Sequence, residues 1–130
     1  MANGTIAFDT LQTSGQITGT AKSVDTDFIV NGSAKSWVNF DGTGTPSIND
    51  SFNASSLNDN NTAEVSVNFS SNMNNANYAT SGAGSKDNVI VTTSRGTSNS
   101  TSVLTTFVVN LSGTATEVDT VNALAHGEIA

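Results

Sequence analysis

The sequence predicts an all-β fold: an antiparallel β-sandwich, jelly-roll-like, preceded by an extended N-terminal arm. Three observations lead there. No window of the 130 residues repeats apolar side chains at spacings of three and four, so amphipathic helices are not expected. β-Branched Val, Ile and Thr dominate the intervals between turns, and several of those intervals alternate with period two. Clusters of Gly, Asn, Ser and Pro separate the intervals at short distances, which is the punctuation of a sandwich rather than of βαβ units.

Residues 1–33 are rich in Thr, Gly and Ser, with isolated apolar positions such as Ile6, Phe8, Leu11, Ile17, Val24 and Phe28. They lack the material for a core of their own. Short strands at Thr5–Asp9 and Asp27–Asn31 are expected within an arm. Ile6, Phe8 and Leu11 would anchor that arm on the domain, on neighbouring subunits or on a mounting protein. The alternative is that the segment adds edge strands to the same sandwich.

Residues 34–130 read as the sandwich domain. In its first strand Val38 and Phe40 share a face with Ser36, while Trp37 and Asn39 take the other. Asp41-Gly42 ends that strand with a pair that tolerates positive φ. Val65, Val67 and Phe69 alternate with Glu64, Ser66 and Asn68. Val89–Val91 forms a short apolar strand. Phe107, Val109 and Leu111 alternate with Val108 and Asn110, so that strand is partly apolar on both faces. Turn clusters fall at Asn31-Gly32, Gly42–Pro46, Asn58–Asn61, Asn72–Asn75, Gly82–Ser85, Gly96–Asn99 and Gly113-Thr114. Trp37, Phe40, Val67, Phe69, Phe107 and Val109 are the expected core or subunit-packing residues. On that expectation Trp37→Ala opens a cavity.

Composition bounds the function. Leu, Ile, Val and Phe make up about 22% of the chain, just above the level below which chains stay disordered, while Ser, Thr and Asn number 54. So little apolar material favours burial between copies, so an oligomer is expected. The net charge is −7, and the four basic residues are Lys22, Lys35, Lys86 and Arg95. That set cannot form the cationic footprint nucleic acid requires, and no basic amphipathic stretch suits an anionic membrane. With no cysteine, neither disulfides nor thiolate metal sites are expected. The N-terminus lacks the basic and apolar regions of a signal peptide, so synthesis in a cytoplasm is expected.

Candidate chemistry is sparse. His126 is the only histidine and has no nucleophile or carboxylate constellation around it in sequence, so packing near a C-terminal strand is expected. Asp25 and Asp27, with Asp41, Asp50 or Asp59, offer hard oxygen donors, but no Asp-x-Asp-x-Asp-Gly loop organises them for Ca²⁺. Glu117 and Asp119 share the spacing of a strand face, which invites a glycosidase reading that no other residue supports. No catalytic activity, cofactor or metal is expected. Eight Asn-x-Ser/Thr motifs occur, which the Asn and hydroxyl content explains.

The run Ala34-Lys-Ser-Trp-Val-Asn-Phe-Asp-Gly-Thr-Gly-Thr-Pro46 resembles a module of bacteriophage tail fibres and virion appendages from phages of aquatic bacteria. There an Ala-Lys-x-Trp-Val-Asn-Phe-(Asp/Asn)-Gly-Thr-Gly phrase opens the globular part. The resemblance continues through Asp50–Leu57, Asp59-Asn60, Val67-Asn68-Phe69, Met73 and Ala76-Asn77-Tyr78, and closes on His126-Gly127-Glu128-Ile129-Ala130. It departs at Asn61–Glu64, where a Gly-rich turn is the usual form. The resemblance implies a structural protein of the virion: a tail fibre or receptor-binding appendage, expected as a homotrimer, that mediates host attachment. A capsid decoration (cement) or head-fibre protein is the alternative, favoured by small size. The family's variable middle corresponds here to Gly82–Asn88 and Ser94–Ser102. Ser85, Lys86, Arg95, Ser98 and Asn99 are therefore the candidate contacts to a host surface glycan, with the arm docked on other virion proteins. An exposed Trp37 or Tyr78 would add a ring for stacking on sugar, although burial is the expectation for Trp37.

Overall fold

The computed structural model describes residues 26–93 and 99–130. The chain divides into two units between Ser33 and Ala34. In the first, the described residues form one short helix, α1 (Thr26–Gly32), where sequence reasoning expected a strand at Asp27–Asn31. The correction has a local cause. Phe28, Ile29 and Val30 are consecutive apolar residues and do not alternate, so period two gives a strand no support there. The anchoring residues Ile6, Phe8 and Leu11, and the strand expected at Thr5–Asp9, lie outside the described residues.

The second unit is a sandwich of two antiparallel four-stranded sheets. Its strands are β1 (Ser36–Asp41), β2 (Ser47–Phe52), β3 (Ala54–Asn61), β4 (Glu64–Phe69), β5 (Ala79–Gly84), β6 (Val89–Thr92), β7 (Val103–Asn110) and β8 (Val121–His126). One sheet, here called A, has the order β2-β1-β8-β5; the other, B, has β3-β4-β7-β6. Three connections stay within a sheet (β1–β2, β3–β4, β6–β7) and the other four cross between sheets.

The core lies between the central strands. Val38 and Phe40 from β1 and Val121, Ala123 and Ala125 from β8 meet Val65, Val67 and Phe69 from β4 and Leu104 and Val108 from β7. Full burial of a side chain the size of Phe40 contributes about 1.5–3 kcal/mol. The few polar side chains inside are satisfied: Thr106 Oγ1 donates to Val65 O at 3.1 Å, and Ser36 Oγ to Asn53 O at 3.4 Å. Among the described residues no buried side-chain nitrogen or oxygen lacks a partner.

Strand β7 turns Phe107 and Val109, expected in the core or in a subunit contact, away from the core. Directly paired residues of an antiparallel ladder share a face, and Val65 pairs with Thr106 and Val67 with Leu104. Leu104, Thr106 and Val108 therefore point inward, while Phe107 and Val109 take the outer face of sheet B. Alternation could not decide between the faces because both carry apolar residues.

Two expected turns are strand. Asn58–Asn61 ends β3, an edge strand carrying little but Leu57 inward, held to β4 by polar contacts such as Asn60 Nδ2 to Ser66 Oγ at 2.7 Å. Gly82 and Gly84 belong to β5, where the sheets approach so closely that a Cβ at Gly82 does not fit and one at Gly84 is tight. A Cβ on Gly82 would lie 2.8 Å from Thr93 Cγ2 and 2.9 Å from Val91 Cγ1. The Asn61–Glu64 hairpin closes without glycine. Ala63 adopts φ 58°, buried, with its carbonyl accepting from Val108 N at 3.0 Å.

The corner between β2 and β3, where the chain changes sheet, is Asn53 at φ 55°. Its Nδ2 donates to Lys35 O and Ser71 O, both at 3.0 Å, and its Oδ1 accepts from Ser71 N at 2.7 Å. Asparagine tolerates the left-handed region, and its side chain here ties three chain segments together.

Candidate functional site

Strand β1 lies between β2 and β8, and its alternation turns Trp37 and Asn39 away from the core. Trp37 is 39% exposed, so of its two expected places, the core or a subunit contact, it does not take the core. Register places it directly opposite Phe52 on one side and Leu124 on the other, and Leu124 opposite Ser81. The outer face of sheet A thus carries the row Phe52, Trp37, Leu124, Ser81. The neighbouring row is Asp50, Asn39, Asn122, Ala83.

An amide relay runs beside the indole. Asn49 Nδ2 donates to Asn39 Oδ1 at 2.9 Å, and Asn39 Nδ2 donates to Asn122 Oδ1 at 2.7 Å. Each acceptor oxygen is thereby occupied, and the direction of the relay leaves Asn122 Nδ2 as its free donor end. Among the described residues nothing accepts from Asn122 Nδ2, and Ser81 Oγ makes no hydrogen bond. Trp37, Ser81, Gly82, Ala83, Asn122 and Leu124 line a trough of about 300 Å³. On that face β5 presents only the small side chains of Ser81 and Ala83.

The expected contact loops distribute differently. Gly84 pairs with Val121 at one end of β8 and Ala79 with His126 at the other, so the β5–β6 turn and the β6–β7 connection lie at opposite ends of the sandwich. Lys86 is exposed in the first. Ser85 is tied down, its N–H donating to Thr120 O at 2.9 Å and its Oγ accepting from Thr120 N at 3.1 Å. In the second, the Asn99 side chain is spent on the fold: Nδ2 donates to Thr93 O at 3.0 Å and Oδ1 accepts from Thr105 N at 2.9 Å. Arg95 and Ser98 lie outside the described residues.

Tyr78 is half-buried and no stacking platform. Its ring meets Phe69 edge-on at 5.7 Å and its hydroxyl donates to Val103 O at 2.6 Å, with Ser100 O at 3.1 Å. Burial pushes its phenol pKa up to about 12. Asp41 accepts from the hydroxyl and backbone N–H of Thr43 at 2.7 and 2.8 Å. Those two bonds, the hydroxyl's first, hold its carboxyl below the ordinary range and close the turn after β1. Glu117 accepts from Gly44 N at 3.2 Å, in a segment that is not strand, so the expected shared strand face with Asp119 is absent. Asp25 lies outside the described residues. Among the described residues no three His, Asp or Glu side chains gather where a metal ion could sit.

A second apolar surface lies on the outside of sheet B. Ile90 pairs with Val109 and is 49% exposed, Phe107 is half-buried alongside, and Leu111 just beyond β7 is 68% exposed. Phe52, Ser81, Asn122 and Leu124 were not singled out from sequence, because they join Trp37 only through the pairing of β8 between β1 and β5. The signal was present in the alternation of Val121, Ala123 and Ala125 with Asn122 and Leu124, carried by small residues. In comparisons with protein-family models, curated proteins and solved structures, nothing matched this chain.

Proposed function

We propose that this chain is a non-enzymatic structural component of a bacteriophage virion, a tail-fibre or receptor-binding appendage protein that mediates host attachment. The observation that carries the reading is the fate of the Ala34–Gly44 phrase. It builds the interior strand β1, sends Val38 and Phe40 into the core, and turns its tryptophan outward, where folding does not need it. An outward aromatic row is a contact surface. The resemblance of the same residues to phage appendage modules supplies the setting.

In this reading copies associate through the outer face of sheet B, where Ile90, Phe107, Val109 and Leu111 form an apolar patch. Burying it between copies compensates for the low apolar content. The homotrimer then presents several identical outer faces of sheet A, and attachment gains strength by effective concentration rather than through one tight pocket. Detection and counting of the chain in purified virions tests the assignment. A few copies per particle support an appendage, hundreds indicate a shell decoration, and absence refutes both. Light scattering on the full chain tests the assembly: three times the monomer mass is expected, reduced to one by Ile90→Glu with Leu111→Glu.

A further inference from the structure

We propose that the trough beside Trp37 binds a neutral pyranose. The indole stacks on the C–H face of the sugar ring, while Asn122 Nδ2 and Ser81 Oγ bond its hydroxyls. The proposal rests on the receptor-binding reading above and gives it a ligand class and a location. It also moves recognition from the loops, where sequence reasoning placed it, to the face of a sheet.

Four features converge. First, the indole is a rigid apolar platform, held in the row between Phe52 and Leu124 and open to solvent on its outer side. A pyranose has an apolar face to match, together with equatorial hydroxyls at its rim. Second, the Asn49–Asn39–Asn122 relay holds the Asn122 amide in place through one of its ends and leaves the other for a ligand. Ser81 adds a hydroxyl that both donates and accepts. Sugar hydroxyls are the complement to that pair. Third, the volume of about 300 Å³ sits at the lower end of small-molecule sites, which suits a single sugar ring. Fourth, no charged side chain lines the trough. The nearest carboxylate in its rows is Asp50, and the chain carries −7, so an anionic sugar is repelled. A cation is disfavoured as well, since the groups aimed into the trough include N–H donors and no carboxylate.

Trp37 is the chain's only tryptophan, so its emission reports on this site alone. The full chain is titrated with the methyl glycosides of glucose, galactose, mannose and N-acetylglucosamine, and with methyl glucuronide as the anionic control. Excitation is set where tyrosine does not absorb. A saturable change with at least one neutral glycoside, and none with the glucuronide, is the expected result. Asn122→Ala, which alters an exposed side chain and leaves the circular dichroism unchanged, weakens that binding by up to about tenfold. No saturable change with any neutral glycoside overturns the proposal, as does an Asn122→Ala variant that binds as well as the parent. Emission that instead follows protein concentration overturns it too, because a second copy then covers the face. The two readings separate cleanly. A chain present in virions that binds none of these sugars loses the site and keeps the virion role. A chain that binds sugar but is missing from virions keeps the site and loses the role.

Discussion

Gly82→Ala is expected to destabilise the sandwich, although alanine in a strand is ordinarily the better residue. The added Cβ lies 2.8 Å from Thr93 Cγ2, 2.9 Å from Val91 Cγ1 and 3.0 Å from Asn122 O. None of the three yields easily. Thr93 is locked by its hydroxyl bond to Thr80 Oγ1 at 2.7 Å, Val91 is stiff at χ1, and Asn122 O belongs to the β5–β8 ladder. The sheets must therefore separate locally by several tenths of an ångström. Overpacking of this kind costs about 1–3 kcal/mol, against roughly 0.5–1 kcal/mol recovered from the lower chain entropy of alanine. The net loss is about 1–2 kcal/mol, or a melting midpoint lower by roughly 5–15 °C for a domain of this size. Thermal melts followed by circular dichroism measure it, with Gly84→Ala as an internal comparison whose nearest contacts are 3.3 Å and whose loss is smaller. A Gly82→Ala midpoint equal to or above the parent's would refute the close approach of β5 to β6.

Phe40→Ala, at a fully buried position, should cost about 3–5 kcal/mol, whereas Trp37→Ala should cost much less, because the indole fills no core cavity; urea unfolding of the two variants compares them. Asn53→Ala removes three hydrogen bonds and places a less tolerant residue at φ 55°, so a loss of about 2–4 kcal/mol is expected in the same assay, with Asn53→Gly relieving only the backbone part. Tyr78 is neutral when folded, and its pKa is raised from 10.0 to about 12, so its stabilisation is complete below pH 10 and is lost as the pH rises toward 12. The melting midpoint of the parent should fall across that window more steeply than that of Tyr78→Phe, and ultraviolet titration of the chain's one tyrosine should show the late ionisation.

How legible this fold was depended on where the apolar residues sit. The phase of β1 and β4 could be read directly, because Val38 and Phe40, and Val65, Val67 and Phe69, alternate with polar neighbours. In β7 the same reasoning met Leu104, Phe107, Val108 and Val109 on both faces, and could not separate core from subunit contact. Only cross-strand pairing with β4 distinguishes them. The polar tail of β3 and the glycines of β5 read as turns because period-two logic needs apolar side chains to count. Both segments are held instead by ladders and by close sheet contact. The short α1 helix escaped because Ile29 and Val30 carry strand propensity, a weak preference that context overrides. The candidate site was legible in one residue, Trp37, whose outward direction followed from alternation, although its expected fate was burial. Its partners Asn122, Ser81 and Leu124 lie more than forty positions away in the chain. Nothing short of the β1–β8–β5 pairing brings them together.

Acrylamide quenching of Trp37 in the native full chain bears most directly on the claim that this fold keeps its tryptophan on an outer face for contact. Strong quenching before as well as after denaturation, unchanged across protein concentration, is the predicted outcome. Blue-shifted emission that becomes quenchable only when the chain is unfolded would contradict it.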